Sequence, residues 1–150
     1  MSAHAHTQEW SELAEAKLRE HGHKASAPRS AVLDLIGRQE CVVTAQDIAA
    51  ELRRRKQKVG IATVYRTLEV LEDLRLVQRL DLGSESARFE PAMPDGTHHH
   101  HHFVCRSCGE AIPFEDAALE RAIEALGKRL EASVEEHDVV LKGVCPSCKA

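Results

Sequence analysis

The stretch HHHHHFVCRSCG, residues 98–109, and the later GVCPSCK, residues 143–149, decide how the rest of the chain is read. Cys105-Arg-Ser-Cys108 and Cys145-Pro-Ser-Cys148 each put two thiols on a tight turn. Two such turns complete a tetrahedral set of four sulfurs around one zinc ion. Four thiolates leave no open coordination position, so the metal is expected to be structural, not catalytic. A thioredoxin-like redox motif is the alternative for either pair, but no βαβ pattern precedes them. Between the knuckles, Ala111 to Phe114 reads as a strand. Leu119, Ile123, Leu126 and Leu130 mark a helix with an acidic start at Glu115 and Asp116, and Val134 to Val144 contains an alternating strand. The metal staples the ends of this small domain, and its binding contributes directly to folding.

The five histidines upstream run into Phe103-Val104-Cys105, so His98 to Cys105 is expected to be a strand. Consecutive side chains of a strand point to opposite faces. His98, His100 and His102 then face one way, and His99 and His101 the other, which is enough to serve two metal sites. Neutral imidazole suits zinc and iron(II), with carboxylates the usual complement for iron. Glu90, Glu120 and His137 are candidate complements. His137 alternates with Val139 and Leu141 and should point inward. The bland reading, a solvated low-complexity tract, sits poorly with the flanking strand and knuckle. Cys41 stands alone and reads as a small buried hydrophobe.

The net charge of −4 in 150 residues hides a division. Residues 11–80 carry 13 Lys and Arg against 10 Asp and Glu, a balance of +3, whereas residues 81–150 carry 7 against 13, a balance of −6. A basic half joined to an acidic, metal-ligand-rich half suggests two modules with different partners. No apolar run approaches the roughly 20 residues a membrane span needs. Met1 to Trp10 has neither the basic start nor the apolar core of a secretory signal, so a cytoplasmic location is expected.

In the basic half, Trp10, Leu13, Ala14 and Leu18 predict a helix over 8–21 closed by Gly22. A second helix begins at Pro28 and carries Val32, Leu35 and Ile36. Thr44 with Asp47 resembles a capping box for a third, which ends in Arg53-Arg54-Arg55-Lys56. After Gly60 comes a fourth, with Ile61, Val64, Leu68 and Leu71 on one face and Ala62, Thr63, Tyr65, Arg66 and Glu69 on the other. Leu76 to Leu82 and Ala87 to Glu90 read as a hairpin around Gly83-Ser84-Glu85-Ser86. Helices followed by a hairpin give the order of a winged helix-turn-helix, and Pro91 to Gly96 reads as a linker. The expected class is α+β. A winged-helix domain spans 1–90, a hinge 91–97, and a small α/β domain stapled by the four cysteines 98–150.

From about Gly22 to Cys148 the chain resembles the ferric uptake regulator superfamily. The resemblance is carried by Pro28-Arg29, Gly60 to Leu68, Arg88-Phe89-Glu90, His98 to Cys105, Cys108-Gly109, and Gly143-Val-Cys145 with Cys148. It implies a homodimeric metal-sensing repressor whose second domain is the dimerisation domain. Cys105, Cys108, Cys145 and Cys148 match its structural zinc site. Glu90, His100 and His102 match a hinge sensor site, and His99, His101, Glu120 and His137 a second site. Tyr65 and Arg66 match the base-reading pair, with Thr63 on the same face, and Lys24 a basic residue approaching the minor groove. Arg29 is a candidate phosphate contact. The chain departs from ferric members at Val42, where many have histidine, and at His101, where many have aspartate; Glu90 stands where zinc-sensing relatives often have cysteine.

The expected function is therefore a repressor that binds palindromic operator DNA when its hinge site holds Fe2+ or Zn2+, and not an enzyme. One alternative is a metal-insensitive DNA-binding protein with structural zinc only. The other is a zinc hydrolase, since a His/His/Glu set with an open position is also a catalytic arrangement.

Overall fold

The computed structural model describes residues 3–39, 42–83, 86–93 and 100–149, with side chains from residue 8 onward. Cys41, His98 and His99 lie outside the described residues. The chain divides into two compact units, Met1–His98 and His99–Ala150.

The first unit opens with α1, Ala3–Glu20, which starts earlier than its apolar spacing predicts. Gly22, at φ +81°, ends it in the left-handed conformation that glycine adopts without penalty. There the His23 N–H reaches Leu18 O at 2.9 Å and the Gly22 N–H reaches Arg19 O at 3.1 Å. Helix α2, Ala27–Gly37, is capped by Ser26 with Pro28 in its first turn. The two-residue strand β1, Val43–Thr44, leads into α3, Ala45–Arg54. Both bonds of the capping box are present, Thr44 Oγ1 accepting from the Asp47 N–H and Asp47 Oδ2 from the Thr44 N–H. Helix α4 is Ile61–Asp73.

Strands β2, Val77–Leu80, and β3, Arg88–Pro91, pair antiparallel with Gln78 opposite Glu90. The expected two-stranded hairpin is a three-stranded sheet in the order β1-β3-β2, because Val43 and Thr44 pair with Phe89 and Arg88. The core gathers Trp10, Ala14 and Leu18 of α1 with Val32, Leu35 and Ile36 of α2, Ile48 and Leu52 of α3, Val64, Leu68 and Leu71 of α4, and Phe89. Ile61 does not join it. It is 43% exposed, as is Tyr65 one turn later, and Thr67 takes the inward place, its hydroxyl donating to Thr63 O at 2.8 Å. The start of the expected linker is also fastened down. Pro91 belongs to β3, the Ala92 N–H bonds to Leu76 O at 2.9 Å, and Met93 packs on the core.

The second unit is a three-stranded sheet in the order β5-β4-β6, with one helix. Strand β4 is His101–Cys105, β5 is Ala111–Phe114, α5 is Ala117–Arg129 and β6 is Val140–Gly143. Strand β4 is central, antiparallel to β5 and parallel to β6. Its burial does not alternate: His101 and His102 are both buried, as a central strand covered on two faces requires. Strand β6 is shorter than the alternation suggests, and His137 lies in the irregular segment before it. Asp116 caps α5, accepting from the Leu119 N–H at 2.8 Å. The apolar face of α5 is left largely uncovered, Leu126 and Leu130 being exposed.

Candidate metal centres and reading face

The two cysteine knuckles meet. Strand β4 ends in Cys105 and β6 delivers the chain to Cys145, and the parallel register that sets Cys105 against Gly143 brings the two turns together. The sulfurs of Cys105, Cys108, Cys145 and Cys148 lie within 4.8 Å of one another, with Cys108 Sγ 3.8 Å from Cys145 Sγ. Four sulfurs each about 2.3 Å from a tetrahedral centre stand about 3.8 Å apart, so the donor type and close spacing of the set fit a zinc ion. Backbone N–H groups of Cys108 and Cys145 point at Cys105 Sγ, at 3.5 and 3.3 Å. They bring its thiol down to about 6, while the neighbouring sulfurs of Cys145 and Cys108 push Cys148 up to about 12. Four crowded sulfurs cannot all ionise unless a cation balances them, and that is the condition a structural metal satisfies.

A second donor group lies on the sheet. His101, Glu120 and His137 place one ligand atom each within 4.8 Å of one another. His101 Nε2 is 2.6 Å from Glu120 Oε1, and His137 Nε2 is 2.9 Å from Glu120 Oε2. Three elements build it: β4 supplies His101, the first turns of α5 supply Glu120, and the segment before β6 supplies His137. The Val139 N–H donates to His101 Nδ1 at 3.2 Å and turns Nε2 toward Glu120. The rings of Phe114 and His137 stand 5.5 and 5.3 Å from that of His101 and hold it in place. Two imidazoles and a carboxylate are a donor set that zinc and iron(II) both accept. The fourth expected member, His99, lies outside the described residues.

The expected hinge residues fall in different units. Glu90 is buried in β3 of the first; His102 is buried in β4 of the second, with His100 just before it. His100 is half-buried, and its Nε2 lies 3.3 Å from Glu115 Oε1. Sequence reading took Glu115 only as part of the acidic start of α5; the β4–β5 register, which sequence does not show, sets it opposite His100.

On α4, Tyr65 and Arg66 are exposed and Thr63 half-buried. Gln46 Nε2 of α3 donates to the Tyr65 hydroxyl at 2.9 Å, and Arg66 Nη2 to Thr63 Oγ1 at 3.3 Å. The ring and the guanidinium are thus oriented outward by neighbours on the same surface. Gln46 carried no signal in the sequence for this part. Lys24 is exposed. Arg29 braces the turn before α2, its Nη1 donating to Lys24 O at 2.8 Å, and its buried Nε has no hydrogen-bond partner. Among the described residues, no helix is long and apolar enough to cross a membrane.

Comparison with known proteins agrees with this architecture. The model of the family described as "Ferric uptake regulator family" matches residues 20–142. The ferric uptake regulation protein of Campylobacter jejuni is 32% identical over 133 residues, covering 87% of this chain and 83% of its own. The Helicobacter pylori ferric uptake regulator, whose structure is described as revealing three functional metal binding sites, superposes with a TM-score of 0.82 at 25% identity, over 96% of this chain and 94% of that one. The Pseudomonas aeruginosa ferric uptake regulator, solved with manganese, gives 0.76 at 30% identity, over 89% and 98%. Members of this family are metal-responsive transcription regulators and not enzymes. With four cysteines placed for zinc, a winged-helix unit ahead of them and a family match over most of its length, the chain belongs to the ferric uptake regulator family.

Proposed function

We propose that the chain is a homodimeric repressor that binds palindromic operator DNA when a hinge site of Glu90, His100 and His102 is loaded with Fe2+ or Zn2+, and that it controls genes of metal uptake in the cytoplasm. Residues 1–90 form the DNA-binding domain, 91–97 the hinge, and 98–150 the dimerisation and metal-binding domain. Cys105, Cys108, Cys145 and Cys148 hold structural zinc. His101, Glu120 and His137, with His99, form a second metal site. The observation that carries the reading is the coexistence in one chain of an outward-facing Tyr65 and Arg66 on α4 and metal donors on both faces of β4.

A helix fits the major groove, and its side chains read base edges there. Tyr65 offers an aromatic ring for a thymine methyl and Arg66 a fork for guanine or phosphate. Lys24 and Arg29 belong to the basic first half; Lys24 approaches the minor groove and Arg29 supplies a phosphate contact, which sets register and salt dependence more than sequence. Five of the seven exposed large hydrophobics among the described residues belong to the second unit: Leu126, Leu130, Val134, Leu141 and Val144. Apolar surface of that kind fits burial against a second copy. A dimer then presents two α4 helices to successive major grooves about 34 Å apart.

Glu90, His100 and His102 would hold the ion, and its binding would supply a cross-link that favours the DNA-competent arrangement by differential affinity. Glu90 is held by its β3 register against Gln78, and His102 by its place in β4. The test is fluorescence anisotropy of a labelled duplex bearing an operator selected from a random pool, titrated with Fe2+, Mn2+ and Zn2+ after the structural zinc is filled. Affinity that rises with metal, and is lost in Glu90→Ala with His102→Ala while dimer and structural zinc persist, supports the proposal. Metal-independent binding of equal strength refutes it and favours a DNA-binding protein with structural zinc alone.

A further inference from the structure

We infer that Glu115 is a further ligand of the regulatory metal and biases that site toward iron(II) or manganese(II) over zinc. The inference rests on the hinge reading above and adds a residue to it.

The antiparallel register of β4 and β5 sets His101 opposite Phe114 and His102 opposite Pro113. Continued by one pair, it sets His100 opposite Glu115, and the contact is made, His100 Nε2 lying 3.3 Å from Glu115 Oε1. Alternation along the strands then sorts the donors. His100, His102, Pro113 and Glu115 share one face. His101 and Phe114 share the other, with Glu120 and His137 gathered against His101. Glu115 is therefore directed to the hinge imidazoles and not to the second donor group. The residue opposite His102 is a proline and has no donor to offer, so the carboxylate of this face comes from Glu115.

Both partners are solvent-accessible, His100 at 40% and Glu115 at 69% of the side chain. A pair so exposed adds little to stability. Its placement leaves both groups within reach of an incoming ion. His100, His102 and Glu115 do not already converge on one point, so loading requires side-chain rotation. His100, His102 and Glu115 together offer two imidazoles and one carboxylate from this unit. Carboxylate is a donor that manganese accepts readily and that completes two-histidine sites for iron(II), whereas zinc binds well to imidazole alone, so loss of the carboxylate weakens the former more.

The test uses the full-length protein with its structural zinc in place. Mn2+ binding is counted by electron paramagnetic resonance of the free ion, and Zn2+ binding by chelator competition. In Glu115→Gln, the regulatory site is expected to lose Mn2+ affinity tenfold or more and Zn2+ affinity less than threefold, and Glu115→Asp should recover part of the loss. Equal weakening for both metals overturns the selectivity claim while retaining Glu115 as a ligand. Changes under twofold for both metals overturn the inference altogether. His102→Ala separates that outcome from failure of the hinge reading: if it too leaves Mn2+ binding intact, the hinge assignment itself has failed. If only His102→Ala weakens binding, Glu115 alone is excluded.

Discussion

Trp10→Phe tests how α1 holds the wing and the start of the proposed hinge. The indole is buried, and its Nε1–H is shared between Leu76 O at 2.8 Å and Ala92 O at 3.1 Å. Leu76 O keeps a second donor in the substitution, the Ala92 N–H at 2.9 Å, but Ala92 O loses the partner that Trp10 supplies. A part-buried carbonyl left without its donor costs about 1–3 kcal/mol. The smaller ring vacates roughly 40 Å³, which at about 24 cal/mol per Å³ adds about 1 kcal/mol if the site does not collapse. The expected loss is about 2–4 kcal/mol, confined to the first unit. Urea unfolding followed by circular dichroism measures it, and hydrogen exchange locates it, with protection falling at the Ala92 amide and along β2 and β3. Ala92 stands two residues beyond Glu90, so the same variant should also raise the metal concentration needed for DNA binding. A stability change below about 0.5 kcal/mol, with the Ala92 amide still protected, would show that the bifurcated bond does not fasten the segment at Ala92.

Removing the structural metal with a strong chelator, or making Cys145→Ser, should expose β4 and β6 amides to exchange while the first unit's unfolding midpoint holds; unchanged exchange in the second unit would refute the staple. Leu130→Asp with Leu141→Asp places charge on side chains 65% and 50% exposed in the monomer, so the monomer should fold normally and the dimer should dissociate in analytical ultracentrifugation. Tyr65→Ala should lower sequence preference more than total DNA affinity, measured as the ratio of operator to random-duplex binding at fixed salt. Arg54 and Arg55 hold the Glu51 carboxyl down at about 2 against an ordinary 4.5. Its contribution is therefore complete above about pH 4.5 and fades as pH falls toward 2, so wild type and Glu51→Gln should differ in urea midpoint at pH 6 and converge in acid. A gap that widens in acid contradicts the pairing.

Local chemistry was legible from the sequence and long-range pairing was not. The Thr44–Asp47 capping box, the Gly22 stop and the Cys-x-x-Cys turns are each fixed by residues a few positions apart, and each appears in the structure as expected. The inward turn of His137 toward Glu120 was also anticipated, although the strand expected around it is not there. The misplacements share a cause. Val43 and Thr44 pair with β3 across more than forty positions, and nothing in a two-residue strand announces that. Ile61 has the right spacing for the core, but the first turn of α4 projects beyond it, so periodicity alone over-assigns burial at a helix end. The partnership of Glu115 with His100 depends on a register set by the knuckle turn, and Gln46 reaches Tyr65 from another helix.

Five identical residues in succession make their own alignment ambiguous, since sliding the chain by two places presents the same imidazoles to the same side. What removes the ambiguity lies at the far end of β4. Gly143 faces Cys105, and a methyl group there would come within 3.2 Å of the Phe103 ring. The bare backbone at Gly143 gives that ring its seat, and the neighbouring knuckle anchors the next turn, so the slide is arrested before any histidine can be misassigned. In Gly143→Ala the Phe103 ring, next to His102 in β4, would have to give by a few tenths of an ångström. Counted from that anchor, a single-residue deletion within the run would leave four histidines where they stand and remove only the outermost one.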